Sequence, residues 1–122
     1  MKILVADDSR TMRRVLRTIL ESLGHAPGDI FEANDAIEGI AVLKTRKFEI
    51  DYIIADFDMA GMENHGFLHR LKHDCPSKTI PVLSSINANQ RLVAPDSIRH
   101  GATMMLERPF RDPDARQKLQ AI

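Results

Sequence analysis

The 122-residue chain has a single cysteine, no tryptophan and no excess of either charge. One cysteine, Cys75, cannot form an intramolecular disulfide, which excludes the disulfide-rich class of small secreted domains and favours a reducing cytoplasm. The 17 Lys and Arg balance the 17 Asp and Glu, so the chain lacks the basic field of a dedicated nucleic-acid-binding protein. The apolar runs are shorter than the roughly 18 residues of a membrane span, and the N-terminus does not resemble a signal peptide. We therefore expect a cytoplasmic protein that binds neither nucleic acid nor membrane.

Short apolar runs alternate along the chain with segments of helical periodicity. The length predicts one domain over residues 1–122, and 43% hydrophobic residues suffice for a core. Ser9 is a predicted N-cap, and Gly24 a predicted left-handed stop, for an amphipathic first helix. Because the central strands are apolar on both faces, the pattern indicates an α/β fold whose parallel sheet has helices on both faces. The predicted strands are 3–6, 30–33, 52–55, 80–85 and 103–106, and the helices lie between them and at the C-terminus.

Acidic side chains follow two of the predicted strands. Asp7 and Asp8 end the first strand, while Asp56 ends the third and Asp58 lies two residues further on. In open α/β sheets ligands bind outside the carboxyl ends of the strands, and converging carboxylates repel one another unless a hard cation such as Mg²⁺ neutralises them. The alternative is structural, since Asp7 and Asp8 can cap the first helix and Asp58 can close a turn. Acidic residues at two strand ends favour a metal site.

A fixed cation follows the fifth strand, where Arg108 stands in Glu107-Arg108-Pro109-Phe110. A carboxylate, a magnesium ion and a guanidinium around one pocket are the components that phosphoryl transfer to an aspartate requires. In that interpretation Asp56 is the nucleophile.

Three segments together resemble a known family, the receiver domains of two-component response regulators, and especially its single-domain chemotaxis type. The resemblance covers nearly the whole chain and implies a flavodoxin-like, doubly wound five-stranded parallel sheet of strand order 2-1-3-4-5. The segments that carry it are Asp7-Asp8 with the helix start Ser9-Arg10-Thr11-Met12-Arg13-Arg14, the stretch Asp56-Phe57-Asp58-Met59-Ala60-Gly61-Met62, and Gly101-Ala102 followed by Arg108-Pro109-Phe110.

The resemblance implies a role for each matching residue. Asp56 accepts a phosphoryl group from a phosphohistidine on a sensor histidine kinase or a phosphotransfer protein. Asp8, Asp56 and the main-chain carbonyl of Asp58 ligate Mg²⁺, Asp7 acts through a metal-bound water, and Arg108 stabilises the phosphoryl group. The domain then signals to a downstream protein and can form a homodimer. It is no enzyme beyond Mg²⁺-dependent self-phosphorylation from a phosphodonor and self-dephosphorylation.

The chain departs from the family at the residues that sense phosphorylation. Ile86 occupies the position of the family's hydroxyl residue, unless a one-residue slip, which needs a bulge, brings Ser85 there. Arg108 replaces a lysine, and Met105 replaces the switching aromatic. These departures support a second hypothesis from the same fold, a pseudo-receiver that binds protein partners whatever its phosphorylation state.

Four arginines, Arg10, Arg13, Arg14 and Arg17, are predicted on the outward side of the first helix. In receiver domains this face resembles the one that docks the kinase. The alternative is an ordinary solvated polar face.

A haloacid-dehalogenase-type phosphatase is the alternative from another functional class, because Asp56-Phe57-Asp58 superficially matches its Asp-x-Asp motif. That family usually has a hydroxyl residue where this chain has Ala60, and its domain is normally longer. Such an enzyme also leaves Asp7 and Asp8 unexplained.

Overall fold

A computed structural model describes residues 1–57, 59, 66–87, 104–107 and 113–121 of the chain. Within these ranges five strands and four α-helices follow one another, with a short 3₁₀ turn, Pro27–Asp29, before the second strand. They are β1 (Ile3–Ala6), α1 (Arg10–Ser22), β2 (Ile30–Ala33), α2 (Ala36–Thr45), β3 (Tyr52–Asp56), α3 (Gly66–Asp74), β4 (Val82–Ile86), β5 (Met104–Glu107) and α4 (Asp114–Gln120).

The strands form one parallel sheet in the order β2-β1-β3-β4-β5, so the predicted fold class and strand order are confirmed. β4 begins two residues later than predicted. Pro81 has no N–H to give to a ladder, although its carbonyl accepts a bond of 3.0 Å from the Ile53 N–H. The regular pairing therefore starts at Val82 and continues to Ile86.

Two apolar layers cover the sheet, because alternate residues of each central strand point to opposite faces. On one face α2 and α3 pack on side chains that include Leu4 and Ile53. On the other face α1 and α4 pack on side chains that include Val5 and Ile54. The helices therefore bury both faces and leave the strand ends as the place for polar chemistry.

The first helix begins and ends as the sequence predicts. The Ser9 side chain accepts a hydrogen bond of 3.2 Å from the Met12 N–H, which satisfies one of the free donors of the first turn. Gly24 has φ +101°, a conformation that residues with a Cβ rarely adopt. This fixed start places Asp7 and Asp8 directly before the helix. In the part of the chain that the structure describes, no helix has the length and apolarity to span a bilayer.

Candidate functional site

Three carboxylates converge at the carboxyl edge of the sheet. β1 and β3 are neighbours, with Ala6 paired to Ala55, so the residues that follow β1 lie beside the end of β3. Asp7, Asp8 and Asp56 each offer an oxygen, and these oxygens all lie within 4.8 Å of one another. Asp7 and Asp56 are buried, whereas Asp8 is exposed. The cluster therefore has a buried base and one side open to solvent.

The main chain and Ser9 hold Asp7 in place. Its N–H donates to the Ala33 carbonyl at 3.0 Å, which extends the pairing of β1 and β2 by one residue. One carboxylate oxygen, Oδ1, accepts a bond of 2.8 Å from the Ser9 N–H, and the Asp7 carbonyl accepts a bond from the Arg13 guanidinium. Asp7 thus closes the turn before α1. The structural alternative had Asp7 and Asp8 cap the first helix, but its N-cap is Ser9.

The cluster has the composition and dimensions of a site for a hard divalent cation. At 4.8 Å two carboxylates repel each other by about 3 kcal/mol for an effective dielectric constant near 20, and a cation between them removes that cost. Opposite ligands of Mg²⁺ are about 4 Å apart, because each Mg–O bond is about 2.0–2.1 Å, and Mg²⁺ usually keeps several waters. Small side-chain rotations or a bridging water suffice for these three residues, so the donor set fits.

Among the described residues this is the one group of three or more acidic, histidine or cysteine side chains close enough to share an ion. Two further predicted site residues, Asp58 and Arg108, lie outside the described residues. The metal-ligand role of the Asp58 carbonyl and the phosphoryl-stabilising role of Arg108 therefore stay predictions.

The arginines of α1 divide into two pairs. Arg13 and Arg17 turn towards β2, where their Nε atoms donate to separate oxygens of Glu32 at 3.1 and 2.9 Å. Arg17 also donates to the carbonyls of Pro27 and Ile30, at 3.1 and 2.8 Å.

These bonds differ from the outward orientation predicted for all four arginines. A partner carboxylate on a neighbouring strand draws Arg13 and Arg17 inwards, which their long side chains permit. Arg10 and Arg14 are exposed. They remain the pair available to another protein.

The pairing of β3, β4 and β5 gives the neighbours of the two predicted switch candidates, Ile86 and Ser85. Asp56 pairs with Ser85, and Ile86 pairs with Glu107, the residue before Arg108. The pairs follow one another without the extra residue in β4 that a slip to Ser85 would need, and the assignment of Ile86 to the family's hydroxyl position stays a prediction. Ile86 is only 4% exposed. Met105 packs against the α2 and α3 layer.

That Ser85 stands beside Asp56 on the next strand was not predicted. The Phe57 N–H donates to the Ser85 carbonyl at 2.9 Å, which fixes this neighbourhood. Strand alternation could have indicated it, had the ends of β3 and β4 been aligned with each other.

Two titratable groups away from the cluster have shifted pKa values. Burial raises the pKa of the Tyr52 phenol above its ordinary value of 10.0. Hydrogen bonds from Arg70 and His73 lower the pKa of the Asp74 carboxyl below its ordinary value of 3.8. Tyr52 begins β3 and Asp74 ends α3, so neither residue belongs to the acidic site.

Comparisons with known proteins agree with this geometry. The chain is 30% identical over all 122 residues to chemotaxis protein CheY-3 of Vibrio cholerae, covering 91% of that protein. It is 29% identical to chemotaxis protein CheY of Pseudomonas aeruginosa, covering 95% of it.

Solved structures show the same architecture. Chemotaxis response regulator CheY4 of Vibrio cholerae superposes with a TM-score of 0.80 at 27% identity, over 98% of this chain and 95% of that one. The receiver domain of NtrX from Brucella abortus, at 24% identity, superposes with a TM-score of 0.84 over 98% and 96% of the two chains and supports the fold alone. The family model described as response regulator receiver domain matches residues 3–120. The chain therefore belongs to the response regulator receiver domain family, whose members are signalling domains and not classical enzymes.

Proposed function

We propose that this chain is a phosphoacceptor in a two-component phosphorelay and that Asp56 carries the phosphoryl group. The convergence of Asp7, Asp8 and Asp56 at the ends of β1 and β3 is the observation that supports this role most strongly. Asp56 is buried at the base of the cluster and is the last residue of β3. A carboxylate held in this way has little side-chain freedom to lose before it attacks.

In the proposed reaction a carboxylate oxygen of Asp56 attacks phosphorus and forms an acyl phosphate. The bond from phosphorus to the donor breaks in the same step, and it is a P–N bond when the donor is phosphohistidine. The electron pair stays with the leaving imidazole, which takes a proton from solvent. Hydrolysis of the acyl phosphate by water later returns phosphate and the Asp56 carboxylate.

Mg²⁺ is the proposed cofactor, and Asp8, Asp56 and Asp7, the last through water, are the described residues that would hold it. When bound it neutralises charge on the phosphoryl group and the carboxylates. The chain's own contribution is positional. Asp7 is fixed by its bonds to Ala33, Ser9 and Arg13, which hold it close to Asp56.

The proposed partners are a sensor histidine kinase or phosphotransfer protein and a downstream target protein in the cytoplasm. Arg10 and Arg14 support a docking role for the start of α1, because both are exposed and lie in the first two turns of that helix, which begins two residues after Asp8. The relatives that are named chemotaxis proteins make chemotaxis a candidate output.

A pseudo-receiver is the second candidate function, and the burial of Ile86 at the end of β4 is the observation that favours it. An aliphatic side chain there cannot donate a hydrogen bond to a phosphoryl oxygen. In this alternative the domain binds its target with or without phosphate.

Incubation with acetyl phosphate and Mg²⁺, followed by intact mass measurement, tests the proposed function. We expect one phosphoryl adduct on the wild-type chain and none on Asp56→Asn, whose amide keeps the shape but lacks the nucleophilic oxygen. Asp29→Asn is the control, because Asp29 directly precedes β2 and so lies at the amino ends of the parallel strands, opposite the acidic cluster. Equal labelling of wild type and Asp56→Asn excludes Asp56, and an unlabelled wild type favours the pseudo-receiver.

A further inference from the structure

Ser85 carries a buried hydroxyl beside the proposed phosphoacceptor. The residue is 1% exposed, and its Oγ has no hydrogen-bond partner within the ranges of the chain that the structure describes. Its partner in the pairing of β3 with β4 is Asp56. Buried hydroxyls without a partner cost free energy and are uncommon in native proteins. A hydroxyl in this position therefore requires an explanation.

Strand alternation directs Ser85 and Asp56 to the same face of the sheet. Leu83 and Ile54 both belong to the layer under α1 and α4, and Ser85 and Asp56 lie two residues after them. Neighbouring strands are about 4.8 Å apart, so a phosphoryl group added to the Asp56 side chain would extend on the same face as the hydroxyl of the adjacent Ser85.

We propose that the Ser85 hydroxyl donates a hydrogen bond to the phosphorylated side chain of Asp56. It thereby supplies from the neighbouring strand an interaction that Ile86 cannot supply from the family's usual position. The inference rests on the proposed phosphorylation of Asp56. The hydroxyl keeps its proton and forms no covalent bond, so its role is to stabilise and orient the acyl phosphate.

Because the Ser85 hydroxyl has no described partner beforehand, a bond to the phosphorylated side chain would shift the phosphorylation equilibrium of Asp56. A donor that is already satisfied before phosphorylation would only exchange one bond for another. Ser85 has no described partner before the reaction, so most of the free energy of the new hydrogen bond favours the phosphorylated form. A hydrogen bond to a charged acceptor corresponds to about a tenfold change in an equilibrium constant.

Ser84 offers a matched control on the same strand. It is also buried, at 2% exposure, but it pairs with Ala55 and Met105, which belong to the layer under α2 and α3. Substitution of either serine by alanine removes the same atom from the same strand. Only the Ser85 substitution removes a hydroxyl from the face of Asp56.

The test is a titration of the full chain with beryllofluoride in excess Mg²⁺, followed by amide NMR shifts, because beryllofluoride mimics a phosphoryl group on Asp56. We expect Ser85→Ala to weaken binding about tenfold and Ser84→Ala to leave it within about twofold. Ser85→Thr and Ser85→Val have the same branched shape and differ in the hydroxyl. We expect Thr to bind as tightly as wild type and Val as weakly as Ala.

The failures of the two proposals can be told apart. If wild type binds beryllofluoride and Ser85→Ala binds it equally well, or if Thr and Val are equally weak, the role of Ser85 is refuted and Asp56 phosphorylation stands. If wild type neither binds beryllofluoride nor takes a phosphoryl group from acetyl phosphate, both proposals are refuted. Thermal unfolding controls for folding, and we expect Ser85→Ala to unfold at or above the wild-type temperature, because it removes an unmatched buried hydroxyl.

Discussion

Replacement of Glu32 by glutamine tests the contacts that tie α1 to β2. Glu32 receives the Nε–H of Arg13 on one carboxylate oxygen and the Nε–H of Arg17 on the other. Arg13 also donates to the carbonyl of Asp7, so the same contacts hold the start of the acidic cluster. In Glu32→Gln one oxygen becomes an NH₂ group. One arginine N–H then faces a donor instead of an acceptor.

The geometry sets the size of the expected loss. A hydrogen bond between two charged groups contributes about 1.5–3 kcal/mol when it is well shielded. The Glu32 side chain is 35% exposed and that of Arg17 is 27% exposed, so solvent screening reduces this figure. We expect Glu32→Gln to lower the free energy of unfolding by about 1–2 kcal/mol, or the melting temperature by about 4–8 °C.

Urea unfolding at low and high salt is the assay, and Glu21→Gln is its control. Glu21 makes a longer contact of 3.7 Å with the same Arg17, one helical turn away, and its substitution changes the net charge equally. We expect that control to cost no more than about 0.5 kcal/mol. The stabilising role of the Glu32 contacts is refuted if Glu32→Gln lowers the free energy of unfolding no more than Glu21→Gln, or if high salt leaves the difference between the two variants unchanged.

Three further outcomes are expected. Mg²⁺ without phosphate shifts the amide signals of Asp7, Asp8 and Asp56, and EDTA reverses the shifts; no change at tens of millimolar Mg²⁺ would contradict the metal site. Ile86→Thr enlarges the conformational response to beryllofluoride relative to Ile86→Val, which has the same shape as threonine without its hydroxyl. Equal responses of the two variants would show that the lack of a hydroxyl at position 86 does not limit the response. The single tyrosine, Tyr52, titrates above pH 10.0 by absorbance, and stability falls as pH rises past that value, because the native state then keeps a proton that the unfolded state loses. An ordinary titration midpoint would contradict its burial.

Much of the fold follows from local sequence signals. Ser9, Gly24 and the apolar run of β3 each determine structure through their immediate neighbours, so capping rules and periodicity suffice to locate them. The strand order came from a family resemblance instead, because periodicity does not determine which strands pair. β4 ends one residue later than predicted, because Val82 to Ile86 form one apolar and serine run without a local stop signal.

Contacts between elements distant in sequence could not be predicted in the same way. Arg13 and Arg17 bind Glu32, which lies 19 and 15 residues further along the sequence. Helical periodicity predicts only the side of α1 from which their side chains leave the helix. The pairing of Ser85 with Asp56 likewise depends on the register of two strands. A one-residue change of that register would direct Ser85 to the opposite face.

Identification of the phosphorylated residue distinguishes Asp56 from the other carboxylates of the site. The chain is incubated with acetyl phosphate and Mg²⁺ and treated with borohydride, which reduces an aspartyl phosphate to homoserine, and the peptides are sequenced by mass spectrometry. We expect homoserine at position 56 in the Mg²⁺ sample and none in a sample containing EDTA. Homoserine at Asp7, Asp8 or Asp58, or equal amounts with and without Mg²⁺, would contradict it.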